Sequence, residues 1–70
     1  MMNYNGKVKK VGYEYAEGII DTRKPLGLFY TIIAGMYIGI DNSTGEAWTE
    51  SFPDLRKCKE WLCNRNIEVT

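Results

Sequence analysis

The uncharged run LGLFYTIIAGMYIGI, residues 26 to 40, is the feature that most constrains the fold. Its fifteen residues are too few for a helix across a bilayer, which takes roughly twenty. Its three glycines also weaken it as a helix. Because β-branched and aromatic residues favour strands, the run predicts two buried strands at residues 28–33 and 36–42, joined near Ala34 and Gly35. We expect a soluble chain.

A further strand at about residues 46–52 follows the turn residues NSTG, and two loops fit this turn. A four-residue loop, NSTG, pairs Asp41 with Glu46 and leaves Trp48 on the outer face. A three-residue loop, STG, pairs Asn42 with Glu46 through a glycine bulge. A slip of one residue exchanges the faces of a whole strand. The second loop gathers more large apolar side chains on one face, so it predicts Trp48 in the core.

Alternation near the N-terminus predicts the first strand. Val11, Tyr13 and Tyr15 alternate with small or charged residues, and this periodicity indicates a strand running from Lys7 towards Ile20. The preceding residues, MMNYNG, lack a pattern and indicate a loose terminus. The following DTRKPLG stretch contains proline and glycine and indicates a loop.

A helix is predicted after the last hairpin strand. Asp54 is a suitable N-cap, and Phe52 can fold back on the first turn. The NRN run after the helix indicates a stop, and Ile67–Thr70 is a candidate short edge strand. Residues at helical spacing form the apolar face of this helix: Leu55, Cys58 and Leu62, with Trp61 beside them.

The predicted order is therefore β-β-β-β-α within a single domain, residues 1–70. The fold class is α+β: a small antiparallel β-meander sheet of three to five strands with one C-terminal α-helix packed on one face.

The amino-acid composition does not favour catalysis or metal binding. The chain has no histidine, and its two cysteines, Cys58 and Cys63, lie five positions apart in the predicted helix, pointing about 140° away from each other. That separation exceeds the reach of a disulfide, and two thiols alone make a poor zinc site. We therefore expect no catalytic residue, no cofactor and no metal. Free thiols and the lack of a signal peptide favour a cytoplasmic protein.

The charges are unevenly distributed although the net charge is zero. Residues 1–24 hold five bases and three acids, residues 25–55 hold four acids and no base, and residues 56–70 hold four bases and two acids. Two interpretations stay open: a solvated hairpin balanced by its flanks, or an acidic hairpin directed at a basic partner.

Aromatic residues supply the strongest binding signal. Five tyrosines and two tryptophans exceed what one small core needs, and such side chains are favoured at interfaces. Tyrosines on an open sheet face are equally compatible with packing, with a docking surface or with a homodimer. The candidate protein-interface residues are Tyr13, Tyr15, Tyr37, Asp41, Glu46 and Thr49.

The stretch YIGIDNSTGEAWTESFPDLRKCKEWL resembles small uncharacterised proteins of bacteriophages and mobile elements. The shared pattern is a strand, an (I)DN-x-T-G turn, a W-x-E-x-F strand and a helix ending in W-L, over a little more than a third of the chain. Inhibitors of host defence, including anti-CRISPR proteins, are of this small non-enzymatic kind. The resemblance implies binding to a host protein, such as a nuclease or another defence component.

Two further resemblances concern DNA. The β-β-β-α order is similar to the arm-binding domains of tyrosine recombinases, which implies a nucleic-acid-binding or transcription-associated module as the alternative function. Such a sheet face needs lysines and arginines, whereas here Tyr37, Asp41, Thr49 and Ser51 are expected on it. The F-P-D-L segment with Cys58 resembles antitoxins of the HicB kind, but arginine and lysine replace that motif's proline and glycine.

Overall fold

The computed structural model describes the backbone of residues 8–67 and the side chains of residues 8–64. The lead-in MMNYNG therefore lies outside the described residues. The elements are β1 (Val8–Lys10), α1 (Tyr13–Thr22), β2 (Gly27–Ile33), β3 (Met36–Asn42), β4 (Trp48–Phe52) and α2 (Leu55–Ile67). Over these described residues, the four strands form one sheet in the order β1-β2-β3-β4, with β1 parallel to β2 and the other neighbours antiparallel. The fold is α+β with a mixed sheet, so the expected antiparallel meander is wrong.

The uncharged run forms the centre of the sheet, as predicted. Strands β2 and β3 pair in register from Gly27 with Asn42 to Ile33 with Met36. The two residues of the turn, Ala34 and Gly35, both have positive φ, at 52° and 80°. Such a two-residue turn matches the right-handed twist of the flanking strands.

A helix replaces most of the expected first strand. Among the described residues of that stretch, Val8–Lys10 form a strand, and α1 begins at Tyr13. Within α1, Ala16 and Ile19 are three positions apart and are the buried residues of the helix. Helical spacing places both on one face, and Tyr13 at the start of the helix is 51% exposed. The strand predicted from this alternation is therefore wrong, because Tyr13 and Tyr15 lie on the exposed surface of a helix.

The two helices cover opposite faces of the sheet. Ala16 and Ile19 of α1 pack in a cluster with Phe29 and Ile40, whereas α2 packs over Leu28, the residue next to Phe29 on β2. The expectation of a single helix on one face is wrong. Because β2 has a helix over each face, its successive side chains Leu28 and Phe29 are both buried.

The start of α2 is as predicted. The Asp54 carboxylate accepts a hydrogen bond from the Lys57 backbone N–H at 2.9 Å, which is an N-cap. Cys58 and Leu62 are fully buried on the predicted apolar face. The helix continues to Ile67, so neither the predicted NRN stop nor a strand beginning at that residue is present. The rest of that predicted strand lies outside the described residues.

Close backbone contact explains how α2 lies on the sheet. A Cβ built on Gly39 of β3 would lie 3.1 Å from Cys58 Sγ and 3.2 Å from the Trp61 ring. Trp61 also packs against Phe52, with ring centroids 5.7 Å apart. The absence of a side chain at Gly39 therefore lets the helix approach the central strands.

The register of β3 with β4 corresponds to neither predicted loop. Asp41 pairs with Trp48 and Ile40 pairs with Thr49, one position further than the three-residue loop requires. This shift exchanges the faces of β4 relative to β3. Trp48 consequently leaves the face of Ile40, and its side chain is 52% exposed. The prediction of Trp48 in the core is wrong.

The other edge of the sheet is short. Strand β1 has three residues and pairs with Leu28, Phe29 and Tyr30 of β2. Lys9 and Lys10, two of its three residues, are exposed.

Candidate interaction surface

The side chain of Asn42 forms hydrogen bonds to two loops at one end of the sheet. Its side chain is fully buried. The amide nitrogen donates to the Pro25 carbonyl at 2.8 Å, and the amide oxygen accepts from the Ala47 backbone N–H at 3.1 Å. One amide thus joins the loop between α1 and β2 to the loop between β3 and β4.

Neighbouring contacts shape the second of these loops. The Asp41 carboxylate is buried and accepts hydrogen bonds from the Ser43 N–H at 3.1 Å and the Ser43 hydroxyl at 2.6 Å. Gly45 and Ala47 have positive φ, 88° and 50°. The Arg23 guanidinium donates to the Gly45 carbonyl at 3.2 Å. Side-chain bonds of this kind stabilise a particular turn, and here they set the register of β4.

Trp48 is positioned by this loop at the start of β4. Its indole N–H donates to the Glu46 carboxylate at 2.8 Å. Helix α2 begins beside the opposite end of β4 and crosses the sheet until Leu62 packs with Leu28 of β2. The helix therefore leaves the Trp48 end of β4 uncovered. The indole ring of Trp48 therefore lies at the surface while its N–H is hydrogen-bonded.

Strand β4 is an exposed edge. Trp48, Thr49, Glu50 and Ser51 are all exposed. Alternation puts Trp48 and Glu50 on the α2 side and Thr49 and Ser51 on the α1 side. Within residues 8–67, β3 is the only strand that pairs with β4. As far as the described residues go, the outer backbone groups of β4 form an edge at which a further strand can add. We call β4 together with Glu46 the β4 edge.

The six predicted interface residues do not form one patch. Glu46 and Thr49 lie at the β4 edge, but Asp41 is buried beneath the loop. Tyr37 is half-buried on the α2 side, with its ring 6.3 Å from that of Tyr30. Tyr37 and Thr49 therefore lie on opposite faces rather than on one open face. Trp48 was missed because the wrong register placed it inside.

Tyr13 and Tyr15 lie on α1, away from β4, and are 51% and 53% exposed. The Tyr13 hydroxyl donates to the Glu17 carboxylate at 2.6 Å. This hydrogen bond, with the negative charge of Glu17, raises the pKa of Tyr13 above its ordinary value of 10.0.

Leu26 is a second exposed residue that sequence reasoning missed. It is 63% exposed, and its Cδ2 atom would lie 3.8 Å from a Cβ built on Gly45. Leu26, in the first of the two loops that Asn42 joins, therefore lies close to Gly45 in the second. A single leucine in a loop carries no periodic signal, so the sequence offered no way to find it.

The cysteines are both free, as predicted, and Cys58 is buried. Burial raises the pKa of the Cys58 thiol to about 11, although the charge of Lys59 acts in the opposite direction. Such a thiol is protonated at neutral pH and a poor nucleophile. In the part of the chain that the structure describes, no three His, Cys, Asp or Glu side chains are grouped to hold a metal ion. None of the helices in that part is long and apolar enough to span a membrane.

Comparison of the chain with protein-family models, curated proteins and solved structures returned no match.

Proposed function

We propose that this protein is a small non-enzymatic binding protein that takes up a segment of a protein partner at the β4 edge, with Trp48 as the anchor. The observation that carries the proposal is Trp48 itself, half-exposed and hydrogen-bonded to Glu46 beside an open strand. Strand addition supplies affinity through backbone hydrogen bonds and specificity through alternate side chains.

The energetics of the surface support this assignment. Tryptophan is enriched among the few residues that dominate binding energy. Its bond to Glu46 already restricts the indole, so less side-chain freedom is lost when a partner binds. The register that exposes Trp48 depends on Asn42, which indicates that the fold holds this surface in place before binding.

The narrower proposal is a phage-type inhibitor of a host defence protein, and it is supported by the resemblance of the hairpin and helix. The alternative, a nucleic-acid-binding module, is disfavoured because α1 packs on the sheet face that recombinase arm-binding domains present to DNA. The exposed part of β4 also carries Glu50 and no base, whereas phosphate binding needs clustered positive charge. A homodimer through the tyrosines stays a prediction.

The test is capture of partners from bacterial lysate by three tagged proteins: the parent, Trp48→Ala and Tyr15→Ala. Tyr15 is the matched control because its exposure, 53%, is close to that of Trp48, 52%, and it lies on α1. We expect a protein captured by the parent and by Tyr15→Ala but lost with Trp48→Ala. Hydrogen exchange in the purified complex should then show protection of residues 48–52.

The opposite result, loss with Tyr15→Ala and retention with Trp48→Ala, would transfer the interface to α1. Equal capture by all three proteins would remove both aromatic surfaces as candidates.

A further inference from the structure

The chemistry around Trp48 points to the kind of segment that the β4 edge accepts. Trp48 is bonded to Glu46, and Glu50 follows it on the same side of β4. The aromatic ring is therefore flanked by two carboxylates, both exposed. These exposed carboxylates attract a basic side chain of a partner.

The other side of β4 differs in chemistry. Thr49 and Ser51 are exposed there and carry hydroxyl groups only. Bases do lie near other parts of the surface: Arg23 donates to the Gly45 carbonyl at the loop, and Arg56 on α2 is 3.8 Å from Glu60. The loop and strand themselves, residues 43–52, contain Glu46 and Glu50 as their charged residues.

We propose that the partner segment is an extended strand with lysine or arginine at alternate positions and small hydroxyl or β-branched residues between them. This inference rests on the proposed function. Successive side chains of an added strand alternate between faces, so one set meets Trp48 and Glu50 while the other meets Thr49 and Ser51. Opposite charges on neighbouring strands stabilise the pairing, and like charges weaken it.

The same argument disfavours a second copy of the chain as the occupant. Antiparallel pairing of two β4 strands over their full length places Glu50 directly opposite Glu50 of the other copy, with Trp48 opposite Phe52. Like charges in directly opposed positions are destabilising. A heterologous basic strand avoids this repulsion and gains two ion pairs instead.

The test uses fluorescent ten-residue peptides and measures their binding to the full chain by polarisation at low salt. The probe alternates lysine with threonine. One control peptide has the same composition, with all lysines in one block, and the other alternates glutamate with threonine. We expect the alternating lysine peptide to bind tighter than the blocked peptide, and the glutamate peptide to show no binding.

Variants of the protein locate the site. Glu46→Gln with Glu50→Gln removes both carboxylates and should weaken binding by roughly five-fold, the size expected for exposed ion pairs. Glutamine keeps an oxygen that accepts from the Trp48 indole. The matched control, Glu14→Gln with Asp21→Asn on α1, changes the net charge equally at exposed positions and should leave binding unchanged.

Methylated peptides test strand addition directly. Backbone N-methylation of the probe at alternate residues should abolish binding for one of the two sets and spare the other, because only one edge of an added strand faces β4.

Equal binding of the alternating and blocked peptides, or equal effects of the two variant pairs, would overturn the inference in favour of diffuse attraction. If Trp48-dependent capture from lysate persists without any peptide binding, this inference fails and the proposed function stands. Capture unaffected by Trp48→Ala removes the proposed function itself.

Discussion

Replacing Asn42 by alanine should destabilise the fold through two loops at once. The side chain is fully buried and makes two hydrogen bonds, to Pro25 at 2.8 Å and from Ala47 at 3.1 Å. Each such bond contributes about 1 kcal/mol net. Because Pro25 is exposed and Ala47 half-buried, water can replace the lost partners, which keeps the loss near that value. We expect the free energy of unfolding to fall by about 2 kcal/mol.

That loss is large for a chain of this length. Domains have about 0.05–0.15 kcal/mol of stability per residue, so the whole protein has roughly 4–10 kcal/mol. For domains of this size the melting temperature changes by about 4–8 °C per kcal/mol, which predicts a decrease of roughly 8–16 °C. Thermal unfolding followed by circular dichroism measures it, with urea unfolding for the free energy.

Two companion variants make the result interpretable. Asn42→Asp keeps an oxygen for the Ala47 N–H but loses the donor to Pro25, so its stability should also fall. Asn64→Ala replaces an exposed asparagine in α2 and should change the free energy of unfolding by less than about 0.5 kcal/mol. An Asn42→Ala protein as stable as Asn64→Ala would refute the view that this amide holds the two loops together.

Three further predictions concern the core beneath α2 and the exposed indole. Trp48→Ala should lower the free energy of unfolding by no more than about 1 kcal/mol, whereas Trp61→Ala should lower it by about 3 kcal/mol, as for a core aromatic residue. Equal losses for the two variants in urea unfolding would contradict the structure. Gly39→Ala should destabilise by about 1–3 kcal/mol, because the new methyl group meets Cys58 and Trp61, and a neutral result would show that α2 can move away. The contribution of Cys58 to stability should be fully present below pH 9 and be lost as the pH rises towards 11, because the unfolded thiol ionises near 9.0 while its folded pKa is about 11. The Cys58→Ala protein should lack this part of the pH dependence, and identical profiles for the two proteins would contradict it.

The sequence predicts those elements whose signals are local. The hairpin of β2 and β3 follows from an uncharged, β-branched run with a small-residue turn at Ala34 and Gly35. The start of α2 follows from Asp54, whose carboxylate caps a backbone N–H three residues later. Each of these elements depends on residues within a few positions of one another.

Helix α1 could not be predicted in the same way because its burial is sparse. Ala16 and Ile19 are its buried residues, and two apolar contacts at helical spacing are a weaker signal than the apparent alternation of Val11, Tyr13 and Tyr15. What decides the outcome is packing against Phe29 and Ile40, which lie far along the chain.

The register of β4, and with it the candidate surface, also depends on distant contacts. Asn42 selects the loop conformation while bonded to Pro25, seventeen positions earlier. The three-residue loop was predicted because it places more apolar side chains on one face of the hairpin. That comparison did not consider that the amide of Asn42 is buried and hydrogen-bonded. The exposed position of Trp48 depends on this loop conformation, which the sequence of the hairpin alone did not indicate.

The two edges of the sheet differ in how readily a further strand can pair with them. At one end lies β1, three residues long and carrying exposed lysines, which are features that discourage further strand pairing. The opposite end is the longer β4. Among the described residues, β4 is therefore the more receptive edge, so a partner strand should add at β4 rather than beside β1.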